Sequence, residues 1–188
     1  MPWLIVPLGY FIGSIPTAYI AGRLLKGKDI RSMGDANMGA ANAFRQLGAK
    51  AGITVGIIDA AKGALAIVIA QLANTSQLAV LLTGVAVVIG HNWPVFIGFR
   101  GGRGEATTIG VLLAVLTMPM LIIAAPAIAA HLVLKDTLKA APFIFVPLPL
   151  VCWWLGMPGV LIAYSIALPC LVGFTHFLRA RQTATRRA

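Results

Sequence analysis

The sequence predicts an all-α integral membrane protein of about seven transmembrane helices, with the N-terminus outside and the C-terminus cytoplasmic. Three observations carry this. Of 188 residues, 59% are hydrophobic and 11% charged, and mean hydropathy is +0.90, whereas a soluble domain is nearer half apolar and a quarter charged. The apolar residues fall in runs close to the roughly 20 residues that a bilayer crossing needs. The charge is lopsided, fifteen Lys and Arg against five Asp and Glu, and it is sorted by position. In a soluble chain a net charge of +10 points to nucleic acid; in a membrane chain it belongs to the cytoplasmic loops.

The first span covers 2–25. It lacks a basic leading region, so it reads as a span that stays and not as a cleaved signal peptide. Charges follow at once, from Arg23 and Lys26 to Arg45 and Lys50. The second span, 51–73, carries Asp59 and Lys62 and stops at Asn74-Thr75-Ser76-Gln77. The third, 78–96, leads into a Gly and Arg segment at 98–105. The apolar stretch 106–134 is too long for one ordinary span. Pro119 and Pro126 are expected to break it into spans at 106–117 and 119–134. A sixth span covers 140–155, and a turn at 156–159 precedes a seventh at 160–178. The tail from Arg179 holds four arginines.

With seven spans, one side of the membrane collects fourteen of the fifteen basic residues; the other is Lys62, inside span two. The opposite side has none, so the positive-inside rule sets the orientation. That sorting argues against a nucleic-acid partner. The expectation is a single domain, 1–188, multi-pass in the inner cell membrane. Cys152 and Cys170 read as small core residues in spans, not a disulfide. No metal-ligand spacing is present.

Polar chemistry is concentrated on the cytoplasmic side. Residues 27–45 place Gly, Asp and Asn before a helix that Asp35 or Asn37 is expected to cap. A helix N-terminus attracts phosphate, and Arg45 adds a planar fork; an amphipathic interfacial segment is the alternative. In Gly101-Gly102-Arg103-Gly104, glycines can turn backbone N–H groups inward as an anion nest, although glycine is also common in membrane turns. Trp93 and Phe99 read as interface anchors. Asp59 and Lys62, at i and i+3, pair either as a buried structural pair or as the wall of a polar site. His91 suits a site, His131 a satisfied core position, and His176 an interface. No arrangement for a covalent acyl-enzyme appears.

These segments together resemble the bacterial acyl-phosphate:glycerol-3-phosphate acyltransferases, the PlsY family. The resemblance runs through most of the chain in order: Gly13-Ser14-Ile15-Pro16, Lys28-Asp29-Ile30-Arg31, the loop from Gly34 to Arg45, Asp59-Ala60-Ala61-Lys62-Gly63, Gly90-His91-Asn92-Trp93-Pro94-Val95-Phe96 and Gly101-Gly102-Arg103-Gly104-Glu105-Ala106-Thr107. It implies transfer of a fatty acyl group from acyl phosphate to the 1-hydroxyl of glycerol 3-phosphate, without metal or other cofactor, with membrane lipid as surroundings. It implies a catalytic group of Asp35, Arg45, His91 and Arg103. The implied binding surface is Gly34, Asn37, Gly39, Asn42, Lys62, Gly101, Gly102, Gly104, Thr107 and His176.

The chain departs from the family pattern at several points. Asp35 stands where the pattern has a serine, Ala36 for a glycine, Ala41 for a threonine and Arg103 for a lysine. Glu105 stands at a small apolar position. In the tail, Arg179 falls where asparagine is expected, and no later Glu follows. Either Asp35 acts as a base on the acceptor hydroxyl with Arg103 compensating its charge, or the chain is a divergent member with altered acceptor or lost catalysis. A small-anion transporter or lipid-binding membrane protein also suits charges within spans.

Overall fold

The structure, a computed structural model, describes residues 2–185; Arg186 and Arg187 of the basic tail lie outside them. The described residues form helices α1 (Ile5–Gly13), α2 (Thr17–Lys26), α3 (Ala40–Leu47), α4 (Ala49–Leu72), α5 (Gln77–Asn92), α6 (Glu105–Val115), α7 (Thr117–Leu134), α8 (Thr137–Ala140), α9 (Pro142–Phe145), α10 (Leu148–Trp154) and α11 (Gly159–Thr185). Among the described residues, five stretches are long and apolar enough to cross a membrane: Ile5–Lys26, Ala49–Leu72, Gln77–Ile97, Thr117–Leu134 and Gly159–Arg181. Glu105–Val115 and Pro142–Trp154 are apolar but shorter. Each of the seven expected segments is therefore helical, and five reach spanning length.

Prolines decide where the helices depart from expectation. The first span is not continuous: α1 ends at Gly13 and α2 starts at Thr17. Pro16 between them has no N–H, and its ring disfavours helical backbone at Ile15. Conversely, Pro126 does not break its span but sits inside α7. The break lies instead at Leu116, with φ −121° and ψ 49°. Pro119 falls in the first turn of α7, where no intrahelical N–H is required. The sixth segment is the most divided, because Pro142 opens α9 and Pro147 caps α10.

Two helix pairs approach closely because glycine faces backbone. Between α1 and α5, a Cβ on Gly13 would strike the Val87 carbonyl and one on Gly90 the Tyr10 carbonyl. Between α4 and α6, Gly63 lies against the Thr107 carbonyl and Gly110 against that of Ala60. Small residues are the usual means of close helix contact in lipid, where no hydrophobic force drives helices together. Around these crossings lies a core that includes Ile67, Val87, Val88, Val111, Leu112, Leu148 and Leu168. The Tyr164 hydroxyl donates to the Leu81 carbonyl at 3.0 Å, fixing α11 to α5. A smaller cluster of Ala18, Ile30, Met38, Ala43 and Val55 seats the loop after α2 on α4.

Two polar side chains are not where the sequence suggested. His131 is exposed on α7 and not a core residue. Cys152 is buried, but Cys170 is exposed; both are free thiols. Hydropathy marks a helix as apolar without saying which face is covered by protein.

Candidate functional site

A cavity of about 1180 Å³ lies where the loop at 29–37, the segment at 93–103 and the last turns of α11 meet. Its walls carry Arg31, Arg100, Arg103, Arg179 and Arg181, against two carboxylates, Asp29 and Asp35. Trp93 and Phe99 also line it, so these rings border the cavity beside any interfacial role.

The first wall is built by side chains that satisfy its backbone. Asn42 is fully buried. Its Nδ2 donates to the carbonyls of Asn37 at 2.9 Å and Met33 at 3.1 Å, and its Oδ1 accepts the Asp35 N–H at 3.4 Å. Asn42 therefore holds the loop and does not face the cavity. The expected helix cap is different: Gly39 caps α3 in extended conformation without a side-chain bond. Asp35 Oδ1 instead accepts the Asn37 N–H at 3.2 Å, within the loop. Gly34 and Ala36 take left-handed backbone, with φ 57° and 58°. That is easy for glycine and strained for alanine.

Charge pairing in this wall is specific. Arg31 grips both oxygens of Asp29, with Nη2 to Oδ2 at 2.7 Å and Nε to Oδ1 at 3.1 Å, and its Nη1 reaches the Ile97 carbonyl at 2.8 Å. The Arg31 hydrogen bond holds the Asp29 carboxyl below the usual range, and Asp29 in turn raises Arg31. Asp35 pairs with Arg45 at 2.9 Å across an exposed surface. The compensating cation for Asp35 is thus Arg45, in place of the expected Arg103.

The glycine segment is not an open nest at its first two positions. The Gly101 N–H donates to the Asn92 carbonyl and the Gly102 N–H to the His91 carbonyl, both at 3.1 Å. Glycine is needed here for contact, because a Cβ on Gly101 would strike the His91 carbonyl and one on Gly102 the His91 ring. Gly104, at φ 85°, turns the chain into α6 against the Asn92 side chain. Arg103 follows this packed backbone. Its Nη1 lies 3.4 Å from His176 Nδ1, and its buried Nε has no hydrogen-bond partner among the described residues. Asn92 ties the segment to α11: its Nδ2 donates to Thr175 Oγ1 at 2.9 Å, and Arg179 donates to its carbonyl at 3.0 Å.

Behind the glycines lies a buried polar cluster. Lys62 Nζ is 2.9 Å from Asp59 Oδ1, Thr17 Oγ1 donates to the same oxygen at 2.9 Å, and His91 Nδ1 stands 3.6 Å from it. Lys62 also donates to the Ile15 carbonyl at 3.0 Å, a group exposed by the break at Pro16. A space of about 10 Å³ borders Lys62, His91 and Gly102.

The glycerol-3-phosphate acyltransferase family matches residues 3–186. The chain belongs to that family. Glycerol-3-phosphate acyltransferase 4 of Dehalococcoides mccartyi strain 195 is 50% identical over 182 residues, covering 97% of this chain and 98% of the relative. Glycerol-3-phosphate acyltransferase 1 of the same strain is 37% identical, covering 93% and 87%. The crystal structure of PlsY, an integral membrane glycerol 3-phosphate acyltransferase, in its glycerol 3-phosphate form matches with a TM-score of 0.85 at 30% identity, covering 99% of this chain and 93% of that one.

Within this acyltransferase family member, the expected site residues separate into groups. Asp35, Asn37, Gly101 and Arg103 line the large cavity, and His176 touches Arg103 from 73 positions away. Arg45 is held at the edge through Asp35. Gly34 and Asn42 contact each other inside the loop, and Gly39 packs on Asn37. Lys62, His91 and Gly102 border the smaller space behind. Thr107 lies in the α4–α6 crossing, its Oγ1 buried without a hydrogen-bond partner among the described residues. The sequence reading missed Arg31, Arg179 and Arg181 as wall residues, and took Arg100 only as a flank of the glycine nest. The charge of the first three was visible, but it was absorbed into the general cytoplasmic excess.

Proposed function

We propose that this protein transfers a fatty acyl group from acyl phosphate to the 1-hydroxyl of glycerol 3-phosphate, giving lysophosphatidic acid and inorganic phosphate. The observation that carries this is the arginine-walled cavity between the loops at 29–37 and 93–103 and the end of α11. Two phosphates and a developing oxyanion need positive charge and directed donors. The acceptor hydroxyl oxygen attacks the acyl carbonyl carbon, and the bond from that carbon to the phosphate oxygen breaks. The departing phosphate takes the hydroxyl proton, so no enzyme base is required. Arg103 and His176 stabilise charge at the reacting centre, and Asp35 and Asn37 face the acceptor. Holding donor and acceptor together supplies much of the remaining acceleration. The chain works as seven spans of the inner cell membrane, N-terminus outside, with the cavity toward the cytoplasm.

One feature favours a second reading, a family member with altered acceptor or lost catalysis. Asp35 sets a carboxylate on a wall meant for phosphates, and an ionised carboxylate repels phosphate. The deciding experiment mixes purified protein in lipid with palmitoyl phosphate and glycerol 3-phosphate and follows phosphate release and lysophosphatidate formation together. Turnover that falls in Arg103→Ala supports the acyltransfer reading. Folded protein without turnover, beside an active relative, supports the second, and recovery by Asp35→Ser would identify the cause. Substrate flux in vesicles without phosphate release would overturn both in favour of transport.

A further inference from the structure

We propose that Lys62, Asp59 and His91 are positioning residues. They hold the His91 ring as a floor under Gly102, and thereby set where Arg103 points. The packing stands on geometry alone; what Arg103 serves rests on the acyltransfer reading.

Four observations support this. None of the three residues lines the large cavity, and the space they do border is about 10 Å³, room for about one water and not for a phosphate. The floor is tight: the three atoms nearest a Cβ on Gly102 are all in the His91 ring, and the Gly102 N–H donates to the His91 carbonyl. Behind the ring, Asp59 Oδ1 is fixed at 2.9 Å by Lys62 Nζ and by Thr17 Oγ1 and stands 3.6 Å from His91 Nδ1, so the fixed carboxylate backs the ring. Finally, Lys62 ties this group to the break between α1 and α2 through the Ile15 carbonyl. Arg103 is the next residue after the supported glycine; its Nη1 lies 3.4 Å from His176 Nδ1 and its Nε lacks a partner among the described residues, so its aim depends on that backbone together with His176. Groups that fix a functional side chain through a second layer of hydrogen bonds set its geometry without touching the ligand.

Two cycles test the inference on the full chain in lipid nanodiscs. The first measures inorganic phosphate binding in wild type, His91→Ala, Arg103→Ala and the double variant. If His91 acts through Arg103, each single variant weakens binding about tenfold and the double is no weaker than Arg103→Ala alone. If His91 touches the anion, the losses multiply to about a hundredfold, and the proposal is overturned. The second cycle compares the thermal shift caused by Gly102→Ala with the ring present and in His91→Ala. The shift should shrink once the ring is gone; an equal shift overturns the packing link. Should His91→Ala fail to fold, His91→Gln takes its place in both cycles. Lost turnover with retained phosphate binding sinks the acyltransfer reading and leaves both cycles decisive. A multiplicative first cycle with normal turnover overturns the positioning role alone, and a wild-type protein that binds no phosphate overturns the acyltransfer reading and leaves the packing to the second cycle.

Discussion

Replacing Lys62 by methionine should be among the most damaging single changes in this molecule, and the reason is the partner it abandons. Lys62 and Asp59 are 6% and 2% exposed, with 2.9 Å between Nζ and Oδ1. Lys62→Met removes the ammonium and leaves the carboxylate buried with only Thr17 and His91 nearby. Breaking a buried pair from one side costs about 3–5 kcal/mol. The lost bond to the Ile15 carbonyl contributes about 1 kcal/mol of that. Against a total stability of roughly 5–15 kcal/mol, such a loss is severe. A second change separates the charge from the packing: Asp59→Asn on top of Lys62→Met removes the orphan charge and keeps an amide for the Thr17 hydroxyl. The double variant should recover to within about 1–2 kcal/mol of wild type, as neutral replacements of buried pairs commonly do. Reversible unfolding by sodium dodecyl sulfate in mixed micelles reads both. A single variant that loses less than about 1 kcal/mol, or a double no better than the single, would refute the view that a paired charge holds this region.

Three further outcomes follow from other parts of the structure. Gly110→Ala places a methyl against the Ala60 carbonyl and should cost about 1–3 kcal/mol by forcing α4 and α6 apart; a neutral result in the same unfolding assay would mean the crossing is looser than described. The Asp29 carboxyl is held below its ordinary value of 3.8 by Arg31. The stability it adds, about 1 kcal/mol for a partly exposed pair, is therefore present above pH 3.8 and lost as pH falls through the lower folded value. The melting difference between wild type and Asp29→Asn should stay constant near neutrality and close only below that point. Arg45→Ala should leave stability within about 0.5 kcal/mol, because its pair with Asp35 is exposed. Its KM for glycerol 3-phosphate should nevertheless rise about tenfold, a cost of about 1.4 kcal/mol from an unmatched carboxylate facing phosphate; adding Asp35→Ala should reverse most of that, and an unchanged KM would dismiss the idea.

Much of this architecture was legible because a bilayer imposes length and polarity together. The extent of α4 and the start of α5 followed from apolar runs closed by charged or polar stops, and Ser76 caps α5 at the expected polar stop, whereas α5 ends at Asn92, before the expected 96. Proline was harder to read. Pro16 breaks a helix, while Pro126 sits within one, because tertiary surroundings decide whether a missing N–H can be tolerated. The site was legible as chemistry and not as geometry. Asp59 and Lys62 were readable as a pair because three positions on a helix set them side by side. Arg103 and His176, 73 positions apart, share no local pattern and meet where Asn92 and Tyr164 fasten α11 to α5. The glycine segment shows the same limit. Three glycines beside arginines suit an anion nest, yet the first two N–H groups are spent on the carbonyls of Asn92 and His91.

The break at Pro16 and the charges in α4 make more sense together than apart. A helix interrupted within an apolar span leaves carbonyls that lipid cannot satisfy. A lysine within such a span needs acceptors that lipid cannot provide. Lys62 answers both needs at once, reaching the Ile15 carbonyl and the Asp59 carboxylate at 3.0 and 2.9 Å. Thr17, the first residue of α2, closes the arrangement by donating to Asp59. The interruption is thereby stapled to α4 directly beneath the loop that presents Arg103. Removing Pro16 alone would straighten the helix and withdraw the Ile15 carbonyl, while removing Lys62 alone would leave the Asp59 carboxylate unmatched. The two features are therefore one device, and a change in either should be felt at the cavity through His91 and Gly102.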